Sequence, residues 1–245
     1  MNFINPDLQK TFDNKGFVVI DLLDSSEIKA LQMIYNQYPA QKVADFQVSN
    51  YEKDPQKNKA IDFAIKRIIS KKISTHINGY RMLSAYFYIK FPGQKSSFYI
   101  HKDWNIVDES KNSSMHIWIP LADTNIKNGN LFFCPFEYKL NRPSFRGSPG
   151  FEYPKTGFIS RFVNNRFQKD VFTKEGQAIC FKHKMTHGSR ANNTETQRVA
   201  AGVSILPVNA QMIHYHMDKN DNIQKFNVSD DFYLDFDLNS YPVSL

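Results

Sequence analysis

His101-Lys102-Asp103 sets an imidazole and a carboxylate two positions apart. On a strand, residues i and i+2 share a face, so both groups can converge on one ion. A second histidine from another strand would complete a two-histidine, one-carboxylate set. That set leaves one side of an octahedral metal open and is the ligand pattern of non-haem iron(II) oxygenases. A chelating co-substrate can fill two of the open positions and dioxygen the third. A His-x-Asp triplet alone is common, so the second histidine carries much of the weight. His183, His187, His214 and His216 all follow in the later part of the chain. His187, in Thr186-His187-Gly188-Ser189, lies just past an apolar strand, and Arg198 opens the next one. Two antiparallel strands joined through residues 192–197 would put Arg198 near His187. There its planar fork can grip a carboxylate through two parallel hydrogen bonds, as the far carboxylate of 2-oxoglutarate requires. His183 shares strand parity with His187 and is the alternative third ligand. His116, on an apolar strand, and the His214/His216 pair read as structural.

Positioning these groups needs strands. Residues 5–13 read as a short helix and Gly16 to Leu23 as a strand. Asp24 with Glu27 forms a capping box for a helix running to about Tyr38. Residues 39–60 are polar and read as irregular. Helical spacing returns over about 60–77, with Ile61, Ala64, Ile65, Ile68 and Ile69 on one side. From residue 79 the period shortens. Strands are expected at Arg81–Phe91, Phe98–Trp104, Ser114–Leu121, Asn130–Pro135, Ala178–Lys184, Arg198–Leu206 and Gln211–Met217, joined by Gly-, Asn- and Asp-rich turns. Many short strands fit a sandwich or barrel, a jelly roll among them. Residues 141–170 break the rhythm and read as an irregular insertion serving as a lid. Its Arg142, Arg146, Arg161 and Arg166 would face an anionic part of a substrate. Trp104, Arg142 and Arg146 are the candidate substrate contacts.

The 245 residues are 41% hydrophobic and 22% charged, ordinary for a globular chain. The net charge of +7 is scattered, without a basic run or a nucleic-acid motif. There is no basic-then-apolar leader and no apolar stretch of membrane-spanning length. Cys134 and Cys180 sit singly in apolar runs and read as reduced, buried thiols. The expectation is a cytoplasmic protein with a small-molecule or peptide substrate, anionic in part, and with neither a nucleic-acid nor a membrane partner.

The joint pattern resembles the phytanoyl-CoA dioxygenase family along nearly the whole chain. The carrying segments are Gly16-Phe17-Val18-Val19-Ile20, Lys90-Phe91-Pro92-Gly93, His101-Lys102-Asp103-Trp104, Ile117 to Thr124, Asn128-Gly129-Asn130-Leu131, Gly176-Gln177, and His187-Gly188-Ser189 with Asn192 and Arg198. The resemblance implies a mainly β protein with flanking helices and a double-stranded β-helix (jelly-roll, cupin-like) core. It implies iron(II), 2-oxoglutarate and O2, with His101, Asp103 and His187 as metal ligands and Arg198 as the co-substrate anchor. It also implies Trp118 lining that pocket and Ser189 assisting at the carboxylate. The expected layout is one oxygenase domain over 1–245: helical support to about 78, core over about 79–217, and a C-terminal extension over 218–245. Where relatives carry Pro-Gly-Ser-His, this chain has Cys134-Pro135-Phe136-Glu137-Tyr138-Lys139, so a relative's substrate does not carry over. Asp103 stands where related halogenases have a small residue, which disfavours halogenation. The rival readings are a catalytically silent β-barrel and a zinc hydrolase on the same triad. In the hydrolase Arg198 would have no task.

Overall fold

In a computed structural model, the structure describes residues 1–52, 54–155, 157–235 and 242. The chain begins with β1 (Asn2–Phe3), α1 (Pro6–Lys15), β2 (Phe17–Asp21), α2 (Ser25–Gln37), β3 (Phe46–Val48), α3 (Pro55–Ile73), β4 (Ile77–Asn78) and β5 (Tyr80–Lys90). Next come β6 (Phe98–His101), β7 (Met115–Pro120), β8 (Leu131–Phe133), α4 (Pro135–Leu140), β9 (Phe145–Gly147), β10 (Phe151–Tyr153) and α5 (Phe158–Arg166). It closes with β11 (Lys169–Val171), β12 (Gln177–Lys182), β13 (His187–Ser189), β14 (Arg198–Pro207), β15 (Ile213–Met217), β16 (Ile223–Asn227) and α6 (Phe232–Asp235).

Each N-terminal helix starts where a side chain satisfies its free N–H groups. Asn5 accepts from Asp7 and Leu8, and Pro6 occupies the first turn. The Asp24/Glu27 capping box is present, with Asp24 Oδ1 accepting from Glu27 N and Glu27 Oε2 accepting from Asp24 N. Asp54 caps α3 just ahead of Pro55, so this helix begins inside the stretch read as irregular from sequence. That stretch also holds β3, whose three residues form a strand only because the edge of β5 pairs with them.

Two antiparallel sheets form the core. One has six strands in the order β2-β12-β7-β14-β5-β3, the other four in the order β11-β8-β13-β6. The outer face of the six-stranded sheet packs on the helices through Ile61, Ile65, Ile69 and Ile73, all fully buried, and through Phe87, Ile89, Ile117 and Val203. Its inner face meets the smaller sheet through Phe17, Trp118, Ile179, Phe181 and Ala200 against Leu131, Phe133 and Val171. Phe17 and Phe133 stack across this seam at 4.3 Å. The jelly-roll expectation holds. Cys134 and Cys180 are free and buried.

Three expectations change. Residues 141–170 are not irregular. They contain the β9–β10 hairpin and the nine-residue α5, because short pairings and a short helix suffice once neighbouring elements cover them. The side chain of Arg161 lies outside the described residues. Within 218–245, β16 pairs with β15 along its length. Finally, β13 and β14 do not pair. β13 lies between β6 and β8, and β14 between β5 and β7. The link between them crosses from one sheet to the other, pinned by the fully buried Asn192, which donates to the Lys90 and Thr196 carbonyls and takes its own N–H to Ser96 Oγ.

The close approach of β13 to β6 requires Gly188. A Cβ there would lie 2.9 and 3.0 Å from the Phe98 and Tyr99 carbonyl oxygens, backbone atoms that cannot step aside alone. Gly188→Ala is expected to cost about 1–3 kcal/mol of stability and to weaken metal binding, read by thermal unfolding and metal titration. Gly150→Ala, where nothing lies within 4 Å of the added carbon, is the control. Wild-type behaviour of both variants would show that the approach is not tight.

Candidate active site

Register brings the site together. His187 on β13 stands directly opposite His101 on β6, with ring centroids 4.3 Å apart. Asp103 follows two residues after His101, and its N–H donates to the His183 carbonyl at 3.0 Å. The donor atoms of His101, Asp103 and His187 all lie within 4.8 Å of one another, the only such His/Cys/Asp/Glu cluster among the described residues. Asp103 Oδ1 is 3.5 Å from His101 Nε2 and 3.8 Å from His187 Nε2.

Both imidazoles are pre-set. His101 Nδ1 faces the Tyr99 carbonyl at 2.9 Å, and His187 Nδ1 faces the Met185 carbonyl at 2.8 Å. A carbonyl only accepts, so Nδ1 carries the proton and Nε2 turns its lone pair toward Asp103. Main-chain tethers of this kind fix the orientation of metal-binding histidines. Burial, then the charge of His101, pushes His187 down to about 4, so its ring is neutral at neutral pH. Burial by itself would raise the Asp103 carboxyl. A proton on His187, on His101 Nε2 or on His183 would outweigh it, so these rings hold the group well below the usual carboxylate range. Two Nδ1-tethered imidazoles and one carboxylate, all aimed at a common point, fit a divalent first-row metal.

The alternative third ligand, His183, is engaged elsewhere. Its Nδ1 meets Ser114 Oγ at 2.9 Å and its Nε2 meets Ser204 Oγ at 3.1 Å. His116 shares Ser204 Oγ at 3.3 Å and packs against Tyr88 and Phe181. His214 and His216 both contact Ser148 Oγ, at 2.8 and 3.2 Å.

Arg198 projects from the six-stranded sheet. It faces inward, as does Ala200 two residues on, and is 5% exposed. Its guanidinium lies 5.1 Å from the Trp118 ring and donates to the Tyr88 and Gly129 carbonyls at 3.5 and 3.2 Å. Nε has no partner, and no carboxylate pairs with the group among the described residues. Burial brings it down to about 9. An unpaired buried cation is costly; a carboxylate ligand offsets that cost. Ser189 is buried on β13, opposite Leu131 and Phe98.

The sequence profile of the phytanoyl-CoA dioxygenase family matches residues 12–200. The chain belongs to this family. It thus falls among the iron- and 2-oxoglutarate-dependent oxygenases. No curated protein sequence matches it. HygX from Streptomyces hygroscopicus, crystallised with nickel, 2-oxoglutarate and hygromycin B, is similar in structure. Its TM-score is 0.60 at 14% identity, over 84% of this chain and 88% of HygX. The carbocyclase SnoK from nogalamycin biosynthesis gives 0.57 at 15% identity, over 85% and 86%. The epimerase SnoN, solved with Fe3+, alpha-ketoglutarate and nogalamycin RO, gives 0.59 at 14% identity, over 84% of each.

Family membership leaves the substrate side to this chain's own residues. Trp104 is half-buried against His214 and Tyr233. Arg142 and Arg166 are exposed. Arg146, expected to meet substrate, is instead 2% exposed and structural. Its Nε donates to the Asp103 carbonyl at 2.6 Å, its NH1 to Ser144 and its NH2 to Glu109. Lys102, between the two ligands, points the other way, into Glu137 and Glu152. The insertion therefore grips the triplet from behind. Sequence reasoning also missed Tyr99, 70% exposed beside His101, and Lys90, a fully buried cation. Parity could have flagged both: Tyr99, two residues before His101, shares its strand face, and Lys90 sits among apolar strand residues.

Arg146→Met is expected to lower nickel affinity about 10–100-fold by calorimetry, because the Asp103 main chain loses its clamp. Lys139→Met, on an exposed face, should leave it unchanged. Equal affinities for the two would mean that the clamp does not position Asp103.

Proposed function

We propose that this protein is an iron(II)- and 2-oxoglutarate-dependent dioxygenase that hydroxylates an unactivated C–H bond of a small-molecule or peptide substrate, anionic in part, with succinate and CO2 as co-products. The carrying observation is the pairing of the tethered His101/Asp103/His187 set with an inward, uncompensated Arg198 on the other sheet. A zinc hydrolase would leave that buried arginine without a role, and a silent barrel would need neither.

His101, Asp103 and His187 would hold the iron, leaving open positions for the keto-acid end of 2-oxoglutarate. Bound there, iron(II) couples oxidative decarboxylation of 2-oxoglutarate by O2 to oxidation of the substrate: R–H + 2-oxoglutarate + O2 gives R–OH + succinate + CO2. The protein's own work is to orient and to exclude water. Arg198 grips the far carboxylate over the Trp118 ring, Ser189 assists at that carboxylate, and Phe133 and Phe181 wall His187 from solvent. Trp104 and Arg142 are the proposed substrate contacts. The whole chain serves as one oxygenase unit. HygX was solved with hygromycin B and SnoN with nogalamycin RO, which supports a small-molecule substrate. Those relatives also include a carbocyclase and an epimerase. Mass change of the product separates the outcomes: +16 for hydroxylation, +2 or −2 for net hydrogen gain or loss, none for epimerisation.

Purified protein with Fe(II), 2-oxoglutarate and O2 is expected to form succinate, even slowly without a substrate. His187→Ala should abolish both metal binding and succinate, and His183→Ala should retain both. Arg198→Ala should keep the metal but raise the 2-oxoglutarate requirement about 100-fold. No succinate from the wild-type, iron-loaded protein would sink the reading.

A further inference from the structure

A second buried cation stands beside Arg198. Lys90 on β5 is the direct register partner of Arg198 on β14, so the two side chains rise from the same face of the sheet. That face is the inner one: Tyr88 and Ala200, the next pair along it, pack into the seam between the sheets. Lys90 is fully buried and Arg198 nearly so. Among the described residues neither meets a carboxylate. Lys90 Nζ donates to the Ser96 carbonyl and lies 5.0 Å from the centre of the Phe46 ring. Gly129 joins the two: its carbonyl accepts from Arg198, and a side chain on it would collide with the Lys90 stem, 2.7 Å from Cδ.

Two buried like charges without an anion repel each other and lose hydration, a costly arrangement unless something negative arrives. We propose that Lys90 is a second cation of the co-substrate pocket, sharing the far carboxylate of 2-oxoglutarate with Arg198. This rests on the function proposed above. Burial first, and then the charge of Arg198, brings Lys90 down to about 6 in the free protein, so at neutral pH the free pocket holds it largely as the amine, and an arriving carboxylate favours its protonated form. The competing explanation is mechanical: Lys90 would only tie down the loop at Ser96 that leads into the metal-bearing strand β6.

Binding calorimetry on the nickel-loaded full chain tells these apart, with 2-oxoglutarate and 2-oxopentanoate as probes. The second keeps the chelating keto-acid and lacks the far carboxylate. In Lys90→Met, 2-oxoglutarate is expected to bind at least about tenfold more weakly, while 2-oxopentanoate binds as it does to the wild type. Lys90→Gln, which retains a donor for the Ser96 carbonyl and drops only the charge, should behave the same way and covers the case in which the Met variant fails to fold. Equal losses for both probes, or full 2-oxoglutarate affinity in the Gln variant, would overturn the assignment and leave Lys90 as a loop tether. If the wild type fails to favour 2-oxoglutarate over 2-oxopentanoate, the fault lies in the co-substrate reading of Arg198, not in Lys90.

Discussion

His187 sits directly across an antiparallel ladder from His101, and the arrangement of the site follows from that pairing. Two imidazoles on facing strand positions need only one more donor to form a metal pocket, and Asp103 supplies it by leaving the end of the same strand. The ladder must run close at this point, hence Gly188 against the Phe98 and Tyr99 carbonyls. It must also hold the rings in one tautomer, hence the carbonyls two residues before each histidine. A β-strand provides both features cheaply, because the main chain is already spaced and oriented by its pairing.

Around that pairing the two sheets divide the labour. The four-stranded sheet carries the triad, and the six-stranded sheet carries Arg198, Trp118 and Lys90. The aromatic seam of Phe17, Phe133 and Phe181 holds the sheets at a fixed separation. The helices serve the site indirectly. Their isoleucine face covers the outer side of the larger sheet and leaves its inner face to the pocket residues. The insertion supplies a third support, with Arg146 and Lys102 fastening the triplet from the side away from the pocket.

Buried polar groups here have two kinds of partner. His183, His116, His214 and Asn192 are satisfied by serine hydroxyls or main-chain carbonyls, and they specify packing. Arg198 and Lys90 have only carbonyls where a cation needs an anion. That contrast marks a pocket kept polar for something that the polypeptide does not itself provide.

Much of this was legible in one dimension. The His-x-Asp spacing, the alternation of the long strands, the Asp24/Glu27 cap and the closing His187-to-Arg198 segment all encode local geometry, which depends on near neighbours in sequence and so can be read there. The family resemblance rested on the same local signals. What the sequence left undetermined was which sheet each strand joins. Residues 186–198 look like a hairpin, yet the chain changes sheets at Asn192, because the partners of β13 and β14 come from far earlier in the chain: Phe133 opposite His187, Lys90 opposite Arg198. The fate of the arginines was hidden for the same reason. Arg146 reads as a lid cation until folding sets it against the Asp103 carbonyl and Glu109, and Lys90 reads as an ordinary strand lysine until β14 places Arg198 opposite it. Spacing along the chain determines which side chains share a face; only the packing of distant strands decides what each face meets.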